Sequence, residues 1–342
     1  MATIAITGAS GKLGGATLSA LLAHDLAPAS SIVALTSSSP GSPTWTALAA
    51  KGVQVRHAAF EDPATFDAAL RGVAKFFLVS TPHIALDFGD EDAVPDGKGR
   101  EGHHRGAIDA AVRAGVPHIY YSSLAFAWDP AAKAPGRESK AGVMRAHLRT
   151  EAYLARLVKD GKLQRATCIR EGLYNESWPL YLGYYSLEGE AGDERTEVPL
   201  AGDGPICWTA ISDLGVGSAL VLMAPSEEYG GKTFYLSTRP GAARTVAEVA
   251  KMVGEARGKE VKVKIVGREE YERYYVEKRG KEAPAVRWWS STYAALEAGE
   301  CKIDDPTLER LLESVGVKAT TVEECIAATF KGKAGSRIHG LQ

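Results

Sequence analysis

The segment TIAITGASGKLGG, residues 3–15, decides the fold of this chain. A short apolar run is followed at once by Gly8, Gly11 and Gly14, and then by a helix-like stretch that continues to residue 25. Glycines between a strand and a helix let backbone N–H groups approach a pyrophosphate and let the helix pack closely on the strand. The alternative is a simple tight turn. A lone glycine triplet is weak evidence, so its position in the chain must decide.

That position is the start of an alternating series. Strand-like apolar runs occupy residues 4–7, 32–36, 53–57, 75–80, 118–122 and 166–170, and helix-length segments occupy 13–24, 65–70, 102–114 and 141–157. Near-continuous apolar strands that alternate with helices are typical of a parallel sheet covered on both faces. The sequence therefore predicts an α/β fold with a doubly wound parallel sheet, and the glycines predict a dinucleotide site. A polar loop at 86–100 is expected to move or to cover something.

The composition excludes several classes of protein. The 342 residues carry a formal net charge of -2, which gives no basic excess for nucleic acid. Four widely separated cysteines without a CxxC pair indicate neither a zinc site nor a disulfide framework, and the adjacent His103 and His104 diverge on a helix, so no metal is expected. No stretch approaches the ~20 apolar residues of a membrane span, so we expect a cytoplasmic protein without a membrane partner.

The end of the second strand bears on the choice of cofactor. An acidic residue there normally binds the ribose 2′-hydroxyl of NAD, and a basic one accommodates the 2′-phosphate of NADP. This chain has Thr36, Ser37 and Ser38 instead, and Lys12 adds a positive charge in the glycine loop. Hydroxyl groups and a lysine favour NADP(H) over NAD(H). The alternative is a solvated loop and a surface lysine.

Five ordered segments together resemble one family. They are TGASGKLG, AIDAAVRAGVPHIYYSSL, HLRTEAYL, IREGLYNESW and WTAISDLGVGSALVL. The chain resembles the NmrA-like group of atypical short-chain dehydrogenases/reductases, which includes quinone-oxidoreductase-like enzymes and cofactor-sensing regulators. The resemblance implies a Rossmann-type NAD(P)-binding domain over residues 1–170, to which a segment near 205–235 returns. It also implies a smaller C-terminal α/β substrate lobe that makes up most of 171–342.

By the same resemblance, strand ends and the cleft between the lobes line the ligands. Phe60 is expected near the adenine, although Ala59 stands where the family often has aspartate. The expected cofactor-binding residues are Gly8, Ser10, Gly11, Lys12, Leu13, Gly14, Ser37, Ser38, Phe60, Ser80, Thr81, Pro82, Ser122 and His147. The expected substrate contacts are Leu124, Tyr174, Asn175 and Trp178.

The catalytic residues of related reductases are only partly present. Those enzymes use a Ser on the fifth strand and a Tyr-x-x-x-Lys pair on the next helix, often followed by Glu. If Glu151 occupies the Glu position, four-residue steps place His147 at the Lys position and Val143 at the Tyr position, so the usual proton donor is absent. The catalytic candidates are therefore His147, Ser123 and Tyr174. The alternatives are a structural histidine, a strand-end serine and a packing tyrosine.

These features favour an NADPH-dependent oxidoreductase for a conjugated or aromatic carbonyl, quinone or imine-type small molecule. A quinone suits the missing Tyr because its reduced oxygen is comparatively stable. The alternatives are a regulatory protein that senses NADP(H) without turnover, and an isomerase or cyclase that uses the same cleft. The sequence does not determine the oligomeric state.

Overall fold

A computed structural model describes residues 3–88, 94–187 and 193–331. The polar loop predicted at 86–100 therefore lies partly outside the described residues. The strands are β1 Ile4–Ile6, β2 Ile32–Thr36, β3 Gln54–His57, β4 Lys75–Val79, β5 His118–Leu124, β6 Trp128–Asp129, β7 Ala134–Pro135, β8 Arg165–Glu171, β9 Glu197–Leu200, β10 Thr233–Leu236 and β11 Lys262–Ile265. The helices are α1 Lys12–Ala23, α2 Pro43–Ala49, α3 Ala64–Ala69, α4 Gly99–Arg113, α5 Met144–Lys159, α6 Trp178–Tyr181, α7 Ile211–Met223, α8 Ser226–Tyr229, α9 Val246–Arg257, α10 Arg268–Glu277, α11 Ala283–Glu297, α12 Thr307–Ser314 and α13 Val322–Phe330.

Seven parallel strands form the central sheet, in the order β10-β8-β5-β4-β1-β2-β3. The sheet confirms the predicted α/β fold. Every residue of β1 and β2 is buried, as expected for strands covered on both faces. The strand order reverses between β1 and β4, which places a ligand crevice outside their carboxyl ends.

Helices cover both faces of this sheet. Helices α1, α7 and α12 share one core with Ile4 and Ile6 of β1, whereas α3, α4 and α5 share another with Ala5. Close contact between α1 and α7 requires Gly215, because a Cβ there would lie 2.6 Å from the carbonyl carbon of Ala16. The segment from α7 to β10 therefore contributes both a covering helix and an edge strand to the sheet.

The C-terminal lobe is the name used here for α6, β9, α9, β11, α10, α11 and α13. Its two strands, β9 and β11, pair in parallel. Its core combines aliphatic side chains with many aromatic ones, which include Trp178, Tyr181, Tyr185, Tyr271, Tyr275, Trp288, Trp289 and Tyr293. None of the helices among the described residues is long and apolar enough to cross a membrane.

Candidate active site

The glycine turn joins β1 to α1 at the point where the strand order reverses. Gly8 adopts φ +61°, and the Gly11 N–H donates to the Gly8 carbonyl over 2.8 Å. A Cβ at Gly14 would lie 2.4 Å from that same carbonyl oxygen, so only glycine fits there. Gly11 is the N-cap residue of α1 and offers no side chain to cap the helix. The first-turn N–H groups of α1 are therefore left for an anionic ligand, which is the arrangement that a pyrophosphate needs.

The residues flanking this turn differ in exposure. Ser10 and Lys12 are exposed, whereas Leu13 is buried in the core on the α1 side of the sheet. At the end of β2, Ser37 and Ser38 are both exposed. The Ser38 hydroxyl lies 2.8 Å from the Thr36 hydroxyl and accepts a 2.8 Å hydrogen bond from the Trp45 indole N–H. Serine hydroxyl groups therefore stand at the edge that normally binds the ribose of a dinucleotide.

The carboxyl end of β4 is tied to α4 by a histidine. The Ser80 hydroxyl and the Thr81 N–H both reach Nε2 of His104, at 3.0 and 3.2 Å. Pro82 is exposed beside them, and Thr81 is buried. Phe60, half-buried at the end of the loop after β3, stacks in parallel on His103 at 5.9 Å. The adjacent histidines thus point to different partners.

His147 lies beneath the strand ends, in a buried hydrogen-bond network. It is 4% exposed, its Nδ1 lies 2.9 Å from the Tyr121 hydroxyl, and its Nε2 lies 3.3 Å from Nη1 of Arg100. Both ring nitrogens are therefore occupied by protein groups. Burial, reinforced by the charge of Arg100, lowers the pKa of His147 well below its usual value. In this structure His147 is neutral and presents no free nitrogen to the cleft.

Ser123 is engaged by the buried ion pair of Glu151 and Arg170. Its hydroxyl donates to Oε1 of Glu151 over 2.6 Å, and Nη2 of Arg170 binds Oε2 of the same carboxylate over 2.8 Å. Arg170 also donates to the Tyr235 hydroxyl over 2.8 Å. Because its proton is already given to Glu151, Ser123 offers a ligand an acceptor and not a donor. Ser122 is buried beside it, and Leu124 is half-buried.

Tyr174 is half-buried after β8 and packs against the core on the α1 side of the sheet. Its hydroxyl group forms no hydrogen bond with another described residue. Burial raises the pKa of Tyr174, and the charges of Glu171 and Glu176 raise it further. Lys12 is exposed over most of its surface, but partial burial of its ammonium group lowers its pKa. The negative charge of Glu176 opposes that shift. Tyr174, Glu176 and Lys12 therefore lie on the same side of the cleft.

Two expected substrate contacts are not accessible to a small molecule in this structure. Trp178 is 1% exposed in the core of the C-terminal lobe, where its ring contacts Tyr185 and Phe330. Asn175 is wholly buried and donates from Nδ2 to the Thr320 carbonyl over 2.9 Å. Neither side chain reaches a substrate in the cleft of this structure.

Several residues of this site were not singled out by sequence reasoning. The sequence raises only a metal-ligand role for His104, and it indicates no role for Arg100, Tyr121 or Arg170. Glu171 ends β8, is wholly buried and has its pKa raised well above the usual value by that burial. A charged residue at the end of an otherwise apolar strand was the available signal for Arg170 and Glu171.

The model of the NmrA-like family matches residues 1–324. The chain belongs to the NmrA-like family. This membership confirms the resemblance that the sequence indicated.

Two relatives in this family have names that describe oxidoreductases. The NmrA-like family domain-containing oxidoreductase flvB of Aspergillus flavus is 31% identical over 266 residues, which are 78% of this chain and 75% of the relative. Quinone oxidoreductase 2 of Escherichia coli is 31% identical over 258 residues, 75% of this chain and 76% of the relative.

Solved structures agree over nearly the full length. The Citrobacter sp. triphenylmethane reductase complexed with NADP(H) has a TM-score of 0.72 at 26% identity, with 97% of this chain and all of that chain covered. The NADPH-dependent quinone oxidoreductase of Escherichia coli complexed with NADPH has a TM-score of 0.71 at 27% identity, covering 96% of this chain and 100% of that one.

Proposed function

We propose that this chain is an NADPH-dependent oxidoreductase that reduces a conjugated or aromatic carbonyl, a quinone or an imine-type small molecule. The observation that supports this most directly is the glycine turn, whose first-turn N–H groups have no capping side chain and face the crevice at the strand-order reversal. The names of the relatives, which are oxidoreductases and NADPH-dependent quinone reductases, point to the same class of reaction.

The residues present suit NADPH. The N–H groups that follow Gly11 would bind the pyrophosphate, and the close approach at Gly14 leaves no room for a larger residue. Ser37 and Ser38 would donate hydrogen bonds to the 2′-phosphate, and Lys12 would add a positive charge. When bound, NADPH supplies a hydride to the substrate. Ser80, Thr81 and Ser122 would line the same edge.

The substrate class follows from the missing proton donor. Four-residue steps from Glu151 align Val143 and His147 with the Tyr and Lys of related reductases, and neither has a side-chain proton directed at the cleft. A simple ketone would become an alkoxide that needs a proton at once. A quinone or other conjugated acceptor gives a delocalised anion, which can take its proton later from solvent. The site therefore favours conjugated acceptors.

We assign Tyr174 to orienting the substrate, as a hydrogen-bond donor that keeps its own proton. Its hydroxyl forms no hydrogen bond with another described residue, and its raised pKa keeps it protonated. Ser123 would accept a hydrogen bond from the substrate, because its own proton is given to Glu151. We assign His147 to holding the strand ends in place rather than to direct proton transfer.

The test is a screen for NADPH oxidation with quinones, enones, imines and alkyl ketones. We expect turnover with conjugated acceptors and little with alkyl ketones. Tyr174→Phe should lower kcat and leave the Kd for NADPH unchanged. The control is Tyr153→Phe, which removes a hydroxyl that binds Asp109 of α4, and it should leave both quantities unchanged. Tight NADPH binding with no turnover on any acceptor would contradict the proposal and favour an NADP(H) sensor. Substrate conversion without NADPH oxidation would favour an isomerase or cyclase.

A further inference from the structure

One buried guanidinium contacts both Val143 and His147, which four-residue steps from Glu151 align with the Tyr and Lys of related short-chain reductases. Arg100, the second residue of α4, is 3% exposed. Its Nη2 donates to the Val143 carbonyl over 2.7 Å, and its Nη1 lies 3.3 Å from Nε2 of His147. Its Nε and backbone N–H donate to the two oxygens of Asp87, at 2.6 and 2.9 Å. The start of α5 is thus bound to α4 through a single side chain.

The donors of Arg100 determine the protonation of His147. A guanidinium has N–H donors and no acceptor, so Nε2 of His147 must accept. The proton of the neutral ring is then on Nδ1, where it donates to the Tyr121 oxygen 2.9 Å away. An imidazolium would bring an N–H against an N–H and a second cation beside Arg100. The contact therefore selects the neutral Nδ1–H tautomer.

His104 is fixed in the same tautomer by a backbone donor. The Thr81 N–H reaches its Nε2 at 3.2 Å, so that nitrogen also accepts. Its Nδ1 lies 2.9 Å from the Thr150 hydroxyl, which itself donates to the Ala146 carbonyl, and 3.2 Å from the Tyr121 hydroxyl. Two neutral imidazoles therefore connect the end of β4 to β5 and α5, directly below the cofactor edge.

The charged and titratable groups around His147 lie on several elements. Arg100 and His104 face it from α4, Tyr121 from β5, and Arg170 from β8. Glu151 lies one turn along its own helix, but is bound to Arg170 and Ser123. Asp87 lies behind Arg100 and forms an ion pair with it. Arg100 therefore opposes protonation of His147 both by its charge and by the direction of its N–H donors.

We propose that Arg100 is a positioning residue, which holds Val143 and His147 at the start of α5 and fixes His147 as a neutral Nδ1–H donor to Tyr121. This inference rests on the proposed function only in taking the strand edge above the network as the NADPH site. Its consequence is a hydrogen-bond network beneath that edge in which His147 stays neutral at pH values where a free histidine gains a proton. Without Arg100, burial would still lower the pKa of His147, but the pKa would rise toward its usual value, and acidification would then protonate His147 and disrupt the network.

The first test is nitrogen-15 NMR of the histidine rings in the intact wild-type protein, with the His147 signals identified by their loss in His147→Gln. We expect the neutral Nδ1–H pattern for His147 from pH 5.5 to 8. An Nε2–H pattern, or protonation with a midpoint near the usual pKa of histidine, would overturn the inference. This measurement needs neither turnover nor a folded Arg100 variant, so its outcome is independent of the substrate screen.

The second test is the Kd for NADPH at pH 7.5 and pH 5.5, measured by NADPH fluorescence. Arg113→Gln, which removes an exposed arginine from the same helix, is the matched control. We expect Arg100→Gln to lose up to ~10-fold more affinity for NADPH on acidification than wild type or Arg113→Gln does. The reason is that His147 would gain one proton over about one pH unit. The comparison cancels the titration of NADPH itself.

Two further variants separate geometry from charge and from folding. Arg100→Lys keeps the charge but not the forked donors, so it should show part of the acid sensitivity of Arg100→Gln. Full wild-type behaviour of Arg100→Lys would refute the role of donor geometry. The double variant Asp87→Asn/Arg100→Gln removes both charges together, which avoids an unpaired buried carboxylate. It should show the same acid sensitivity, and an affinity ratio equal to that of wild type would overturn the proposal.

Discussion

The wholly buried Glu171 makes the stability of this protein depend on pH in a calculable way. One of its oxygens accepts from the Ser218 hydroxyl over 3.0 Å, and the other has no partner among the described residues. Burial raises its pKa well above the usual value of 4.5, more than the Ser218 hydrogen bond lowers it. A raised folded-state pKa contributes stability that is present below the usual value and is lost as the pH rises toward the folded-state value.

Glu171→Gln isolates this pH-dependent contribution to stability, because glutamine has nearly the same shape as glutamate and does not ionise. While the folded carboxyl stays protonated, each pH unit above the usual value costs wild type ~1.4 kcal/mol. From pH 5.5 to 7.5 the unfolding free energy of Glu171→Gln should therefore rise relative to wild type, by up to ~2.7 kcal/mol when the folded carboxyl stays protonated over the whole range. The new amide also leaves a donor unpaired, which costs about 1–3 kcal/mol at every pH. The unfolding free energy of the variant is thus expected to increase relative to that of wild type as the pH rises.

The assay is urea unfolding followed by tryptophan fluorescence at both pH values, with refolding checked for reversibility. Glu313→Gln, which changes an exposed glutamate on α12, is the control and should match wild type within about 0.5 kcal/mol at each pH. A difference between Glu171→Gln and wild type that stays constant with pH would refute the reasoning, because the carboxyl would then be ionised in the folded protein.

Three other changes test the turn, the lobe core and the choice of cofactor. Gly14→Ala should abolish NADPH binding in a fluorescence titration, because its Cβ would lie 2.4 Å from the Gly8 carbonyl oxygen. Trp178→Ala should lower the unfolding free energy by about 3–5 kcal/mol in urea, through loss of a buried ring. Lys12→Gln should weaken NADPH binding more than NADH binding, and an equal loss for both would place Lys12 away from the 2′-phosphate.

The sheet was predictable because its signals are local. Strands β1 and β2 are apolar runs that are wholly buried, and the glycines at 8, 11 and 14 mark where β1 turns into α1. Helices α10 to α13 were not predicted. The same limit applies to the aromatic run after β8, whose spacing suited either a core or a cleft. Trp178 lies in the core because α13 supplies Phe330 to cover it, and no local pattern indicates that contact.

The network around His147 shows why the rest of the site could not be derived from local patterns. Helical spacing placed His147 and Glu151 on one face of α5, yet they bind different partners, Arg100 and Arg170. Those arginines lie 47 residues before His147 and 19 residues after Glu151 in the chain. Their roles depend on which strands are neighbours in the sheet, and no single segment of the sequence determines that order.

The two arginines also explain how this cleft can dispense with a Tyr-Lys pair. In the usual arrangement a lysine lowers the pKa of a tyrosine, so the pair supplies protons and titrates. Here each guanidinium is bound to a carboxylate, Arg100 to Asp87 and Arg170 to Glu151, and Arg100 also contacts His147, whose pKa is held well below its usual value by burial. Such a site gains rigidity and loses a proton source. Hydride transfer from NADPH would then suit acceptors that tolerate a delayed proton, which connects the arginine network to the conjugated substrates proposed above.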